Sequence, residues 1–243
     1  MARVSKSAED RRDELLDIAL SLCASVGYDA MAIDQVTRAA GVAKGTFYYH
    51  FSSKQDMLIA LVDRFVRDLF ANLEAAASTL SGTGGERFHR LLLSATAWKT
   101  ERLDDALAFV PLLYKPENLE LRHRLFDSWT ARTRHVFLPL VELGAEDGSF
   151  DVVDAEATTD LVLAIWMDGS SRMFDRALAN DTEDAFVDTV TRGIAALFAG
   201  VERVLGAAPG TFAVPYDHAV VRAMRVPFLA ALNGTAVPAR SYP

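Results

Sequence analysis

At 243 residues, 51% of them hydrophobic, the chain can build one large domain or two small ones around a sizeable core. A single cysteine, Cys23, excludes an intramolecular disulfide framework. The longest apolar run, Leu161 to Met167, is too short to span a bilayer, and no apolar stretch follows the charged N-terminal residues, so a cytoplasmic protein with no membrane partner and no secretory signal is expected.

Apolar residues Leu15, Ile18, Ala19, Leu22, Cys23 and Val26 recur with the helical period, and Gly27 closes that helix as a C-cap. A short helix is expected over about Ile33–Ala40, with Gly41 as its sharp exit, and a third over about Ala43–Phe51. A fourth begins near Ser53, carries Leu58, Leu61, Val62, Phe65, Leu69 and Leu73 on one stripe, and stops before Ser81-Gly82-Thr83-Gly84-Gly85. Further helices are expected at about 86–101, 104–115, 117–143, 155–179 and 182–205, with one more short helix within about 217–232. Pro111 and Pro139 fall inside two of these patterns, and each should kink or break its helix, freeing the carbonyls of Leu107 and His135. No sustained period-2 alternation occurs. The fold class expected is all-α, with an N-terminal three-helix unit joined to a larger helical body.

The segment Gly41-Val42-Ala43-Lys44-Gly45-Thr46-Phe47-Tyr48-Tyr49-His50-Phe51 has the layout of a helix-turn-helix, whose second helix enters the DNA major groove. Phe47 and Phe51, four residues apart, share one face and should anchor that helix. Gly45, Thr46 and Tyr49 lie roughly opposite, while Tyr48, His50 and Lys54 flank the exposed face and can donate to phosphates. Gly45 inside a helix costs about 1 kcal/mol relative to alanine, a local sacrifice that lets backbone approach DNA. The net charge of −8 does not oppose this reading. Residues 1–55 balance seven basic against seven acidic side chains, so residues 56–243 carry the whole negative charge. Arg3 and Lys6 are candidates for a DNA-touching arm, with a plain tail as the alternative.

Residues 9–60 resemble the N-terminal domain of the tetracycline-repressor (TetR) family of bacterial transcriptional regulators. The resemblance rests on Gly27-Tyr28, Ala39-Ala40-Gly41-Val42, Lys44 through Phe51 and Ser53-Lys54, all in register. It implies an all-helical homodimer that binds double-stranded operator DNA, with a divergent ligand-binding body. It also implies DNA contacts at Lys44, Gly45, Thr46, Tyr48, Tyr49, His50 and Lys54. The expected domains are 1–55 for DNA binding and 56–243 for ligand binding and dimerisation. Three positions depart from the family pattern. Met31 and Ala32 stand where Ser or Thr is usual, Ala43 replaces a frequent capping Ser, and Cys23 replaces a common Phe, with Met31 expected to fill the space.

In the body, the 155–179 helix is apolar nearly all round over Leu161–Met167 and needs cover on several sides. The 182–205 helix carries Phe186, Val190, Ile194, Leu197, Val201 and Val204 on a stripe beside Gly193, Ala196 and Gly200. Together they suggest a homodimer interface through about 155–205, the alternative being an intrachain core. Trp98, Phe109, Tyr114, Phe126, Trp129 and Trp166 are candidate walls for a small apolar or aromatic effector, with Arg122, His123, His135, Asp168 and Arg172 as polar neighbours. No metal-ligand cluster, phosphate-binding glycine loop or nucleophile elbow occurs, so neither catalysis nor a cofactor is expected. A ligand-responsive repressor is the leading expectation. An activator or a regulator controlled by a partner protein, and less readily a small-molecule enzyme, are the alternatives.

Overall fold

The Ser7 hydroxyl accepts a hydrogen bond from the Asp10 amide at 3.0 Å, and the Asp10 carboxylate accepts from the Ser7 amide at 3.2 Å. This reciprocal cap starts α1 (Ala8–Val26) well before its apolar stripe begins. The protein is described here by a computed structural model covering residues 7–233 and 235; Arg3 and Lys6 lie outside the described residues. After α1 come α2 (Ile33–Ala39), α3 (Lys44–His50), α4 (Lys54–Thr79), α5 (Gly84–Glu101) and α6 (Leu103–Phe109). Two 3-10 turns, Val110–Tyr114 and Pro116–Asn118, lead into α7 (Leu119–Asp147), then α8 (Ala155–Leu178), α9 (Glu183–Val204) and α10 (His218–Leu232). Every regular element among the described residues is helical, as the sequence led us to expect. No helix among them is long and apolar enough to cross a membrane.

The chain divides into two compact units. The first takes in the described residues up to Val66, Leu103–Asn118 and the described residues from Val226 onward. Its core joins Leu15, Leu16, Ala19 and Cys23 of α1 to Met31, Val36, Phe47, Phe51, Met57 and Leu61, with Ala108 of α6 closing one side. Met31 and Cys23 are both buried in this cluster. Burial pushes the Cys23 thiol up to about 12, so it stays protonated and serves as a small core group. Arg64 of α4 ties back to α1 through the Asp17 carboxylate at 2.8 Å and the Asp13 carbonyl at 3.3 Å.

The second unit comprises Arg67–Arg102 and Leu119–Arg225. Within it α5 and α7 run antiparallel and very close, since a Cβ at Gly84 would meet the backbone of Gly144. Phe88, Phe137, Phe150 and Phe212 form its aromatic centre, with Phe88 5.1 Å from Phe212 and 4.8 Å from Phe137. Phe212 is held there by buried Glu202, whose carboxylate accepts from the amides of Gly210 at 3.0 Å and Phe212 at 2.9 Å.

Three local expectations need correction. The helix expected over 104–115 stops at Phe109 and continues as a 3-10 turn. Pro111 has no N–H to offer Leu107 and disfavours α geometry in the residue before it. Pro139, by contrast, does not break α7, which runs from Leu119 to Asp147. Both Pro139 and His135 lie on its exposed side, where water can satisfy the freed carbonyl. Gly144, just past the expected end of that helix at about 143, remains helical because the close approach of α5 uses its missing side chain.

In the α8–α9 pair, a Cβ at Gly193 would collide with Met173 of the same chain. That glycine therefore serves packing within the subunit. At Gly200 a Cβ would find only ordinary contact, 3.6 Å from Ile165. Leu161 is 57% exposed, and Trp166, Met167, Ile194 and Leu197 are half-buried, leaving an apolar strip uncovered on this pair.

Candidate DNA-binding site

The site is built on the turn between α2 and α3. Gly41 adopts φ +64°, a left-handed conformation that glycine accepts without steric cost, and it swings α3 away from α2. Lacking a hydroxyl or carboxylate, Ala32 and Ala43 cap α2 and α3 without side-chain hydrogen bonds. Gln35 partly compensates at α2, accepting from the Ala32 amide at 2.7 Å.

Helix α3 is held by Phe47 and Phe51, both buried, with ring centroids 5.5 Å apart. Tyr49 on the other side is 76% exposed, and Lys44, Gly45 and Tyr48 are exposed beside it. Thr46 and His50 are half-buried at the margins. A Cβ at Gly45 would meet nothing within 4 Å, so nothing in the chain itself calls for glycine there. Six of the seven candidate DNA contacts therefore lie on one helix, around a face that the chain does not cover.

The charges of this face have partners of their own. Lys44 pairs with Asp34 at 2.9 Å, an exposed contact that raises the lysine and lowers the carboxylate. Lys54, the seventh candidate, donates to the Asp29 carbonyl at 3.2 Å and sits 4.3 Å above the Tyr28 ring. Burial holds its ammonium below the ordinary range. His50 is likewise lowered, by burial first and then by the positive charges of Arg12 and Arg11. The Arg12 guanidinium lies 5.2 Å from the Phe51 ring. This places a cation from α1 near the end of α3, a role that the Arg11-Arg12 pair in the sequence did not announce.

Sequence reasoning also missed what holds the loop between α1 and α2. Lys115, 8% exposed, donates to both oxygens of the Asp29 carboxylate at 2.7 and 2.9 Å. Next to it, buried Asn118 donates to the Leu112 carbonyl at 2.8 Å and accepts from Gln55 at 3.2 Å. These partners are 63 and 86 residues apart in the chain, beyond the reach of any local pattern.

The effector candidates fall in several places. Trp98, Phe126 and Trp129 belong to α5 and α7, with Phe126 and Trp129 5.1 Å apart and the Arg102 guanidinium 4.5 Å from Trp98. Trp166 packs edge-on against Phe198 of α9 at 5.1 Å. Phe109 and Tyr114 belong to the first unit, where they pack on Phe65 at 5.4 Å and Phe228 at 4.8 Å. Among the polar neighbours, Asp168 and Arg172 pair with each other at 2.7 Å on the exposed side of α8.

Comparison with known proteins places the segment in a family. Residues 15–61 match the family described as "Bacterial regulatory proteins, tetR family". The chain is 32% identical over 145 residues to the HTH-type transcriptional repressor KstR2 of Rhodococcus jostii, covering 58% of this chain and 68% of that protein. It is 27% identical over 158 residues to KstR2 of Mycobacterium tuberculosis, covering 62% and 74%. A crystal structure of a TetR/AcrR-family regulator from Thermobifida fusca superposes with a TM-score of 0.53 at 25% identity, covering 79% of this chain and 98% of the other.

Proposed function

This chain belongs to the TetR family of bacterial regulatory proteins and is a DNA-binding transcriptional regulator, and we propose that it works as a homodimeric repressor released from a palindromic operator by a small apolar or aromatic molecule. The observation that carries the DNA reading is the outward face of α3. Tyr49 and its exposed neighbours stand opposite the buried Phe47 and Phe51 anchors. Thr46 and Tyr49 read base edges. Lys44, Tyr48, His50 and Lys54 hold phosphates, and Gly45 admits the backbone of the duplex. Residues 1–55 form the DNA-binding domain, and residues 56–243 bind the effector and the second subunit. The uncovered apolar strip of α8 and α9 supports a second copy docking there. The repressor names of the relatives support repression as the direction of control.

Operator binding tests the reading. Fluorescence anisotropy on an inverted repeat from the adjoining promoter should show one dimer per site, and sedimentation should give a dimer at micromolar concentration. Lys54→Ala should weaken binding across sequences and reduce the salt slope by about one unit. An unchanged slope would leave Lys54 committed to Asp29 and outside the interface, and a monomer would defeat the dimeric reading.

His50 gives the complex a pH dependence whose sign follows from its surroundings. In the free protein its proton is held less tightly than usual, because of burial and the nearby arginines. A phosphate beside the ring favours the protonated form, so binding takes up a proton and affinity rises as pH falls through the ordinary histidine range. Titrations from pH 7.5 down to 6 should show this rise, and His50→Gln should flatten it. A pH profile unaltered by His50→Gln would place the histidine away from phosphate.

A further inference from the structure

The helix-turn-helix carries a single acid. Between Ile33 and His50, Asp34 is the only carboxylate, set against Arg38 and Lys44. It stands in the first turn of α2, where the partial positive charge of the helix end favours an anion. Helix stability accounts for a charge at that position but not for where the side chain is directed. The Asp34 carboxylate reaches across the Gly41 turn to the Lys44 ammonium, 2.9 Å away at the first residue of α3. Lys44 is one of the outward cations of the DNA-facing helix, and it is met in the free protein by an anion of the chain itself.

Both side chains are more than half exposed, so water reaches the pair and the contact is weak. Lys44 is restrained there, not locked. Arg38 lies one turn along α2 from Asp34, and its positive charge also lowers the carboxylate. When Lys44 departs, the carboxylate is still faced by a cation, and no bare charge is stranded.

The balance of that departure differs between two kinds of DNA complex. On DNA of unrelated sequence, binding is almost wholly electrostatic. Moving Lys44 there from carboxylate to phosphate exchanges one anion for another and brings the uncovered carboxylate close to the duplex. Little is gained, and the pair stays closed. On the operator, Thr46 and Tyr49 seat α3 in the major groove, and base-edge contacts supply enough free energy to open a weak surface pair. Lys44 then takes a phosphate in one fixed geometry.

We infer that Asp34 withholds Lys44 from phosphate on DNA of unrelated sequence and yields it on the operator, which makes Asp34 a specificity-determining residue that acts through Lys44. The inference rests on the reading of α3 as the DNA-binding helix.

Asp34→Asn removes the charge and nearly keeps the shape. Fluorescence anisotropy of the full-length protein with a random-sequence duplex and with the promoter inverted repeat, each over about 50–200 mM salt, reads the effect. On the random duplex Asp34→Asn should bind about threefold or more tightly. Its salt slope there should steepen by about one unit, because a further phosphate is neutralised. On the inverted repeat the slope should match the parent's, since Lys44 already holds its phosphate, and the ratio of operator to random affinity should fall. Asp34→Glu keeps the charge and should restore that ratio. In a Lys44→Gln background, Asp34→Asn should no longer steepen the random-duplex slope. An Asp34→Asn protein with the parent's slope on the random duplex would overturn the inference, and so would equal steepening on both duplexes. Steepening that persists in the Lys44→Gln background would assign the effect to net charge and overturn it too. Lower stability on urea unfolding with both slopes unchanged would reduce Asp34 to a support of α2. A parent protein that binds neither duplex would instead defeat the reading of α3 on which the inference rests.

Discussion

Phe47→Ala is expected to unfold the DNA-binding unit or bring it close to unfolding, with a loss of about 3–5 kcal/mol and no measurable operator binding. Phe47 has no solvent exposure and packs in one cluster with Leu15, Leu16, Ala19, Met31 and Phe51. Truncation there removes the anchor that holds α3 to α1 and leaves a cavity that a seven-residue helix cannot close by itself. Two residues along, Tyr49→Ala should leave stability within about 0.5 kcal/mol, since an exposed side chain away from special contacts contributes little to folding. It should nevertheless weaken operator binding. Urea unfolding of both variants, followed by anisotropy with operator DNA, separates the two roles. A Phe47→Ala protein as stable as the parent would mean that α3 is not anchored through this residue. A Tyr49→Ala protein with full operator affinity would remove that tyrosine from the interface.

Asp29→Ala and Lys115→Met should have very different effects although they break the same ion pair. Lys115 is 8% exposed and Asp29 36%, so the lysine depends far more on the pair. Removing the carboxylate strands a buried ammonium, with an expected cost of about 3 kcal/mol. Replacing the lysine with methionine removes the charge together with its need for a partner, and the cost should stay below about 1 kcal/mol. The remaining Asp29 carboxylate is reached by water. Both variants keep the Lys54 contact, which uses the Asp29 backbone carbonyl. Thermal unfolding of the two proteins at neutral pH measures the difference. Equal losses, or a larger loss for Lys115→Met, would show that the buried charge is not what makes this contact important.

These two sites show different degrees of legibility in the sequence. Phe47 and Phe51 could be assigned to the core, and Tyr49 to the surface, from helical spacing alone. A 100° step per residue leaves adjacent residues no choice but to diverge. The turn at Gly41 was equally plain, because few other residues accept its left-handed backbone. The start of α1 was missed although Ser7 and Asp10 carry a capping signature, since the apolar stripe begins only at Leu15. Proline breaks the helix at only one of its two positions. It ends a helix at buried Pro111 but is carried within α7 at exposed Pro139, and no local signal separates the two.

By itself the sequence determined the all-helical class, the order of the helices and which face of α3 the chain leaves uncovered. Each of these follows from hydrophobic period, turn chemistry and steric rules acting over a few residues. Tertiary structure alone decided the partners of the charged groups. Only in the fold does Lys115 reach Asp29, Arg12 approach His50 and Lys54 settle on the Asp29 carbonyl. The same holds for Gly193, whose small size is used against Met173 within the chain. Burial and charge pairing depend on which distant segments share a neighbourhood, and that is set by packing over the whole chain rather than by any window of it.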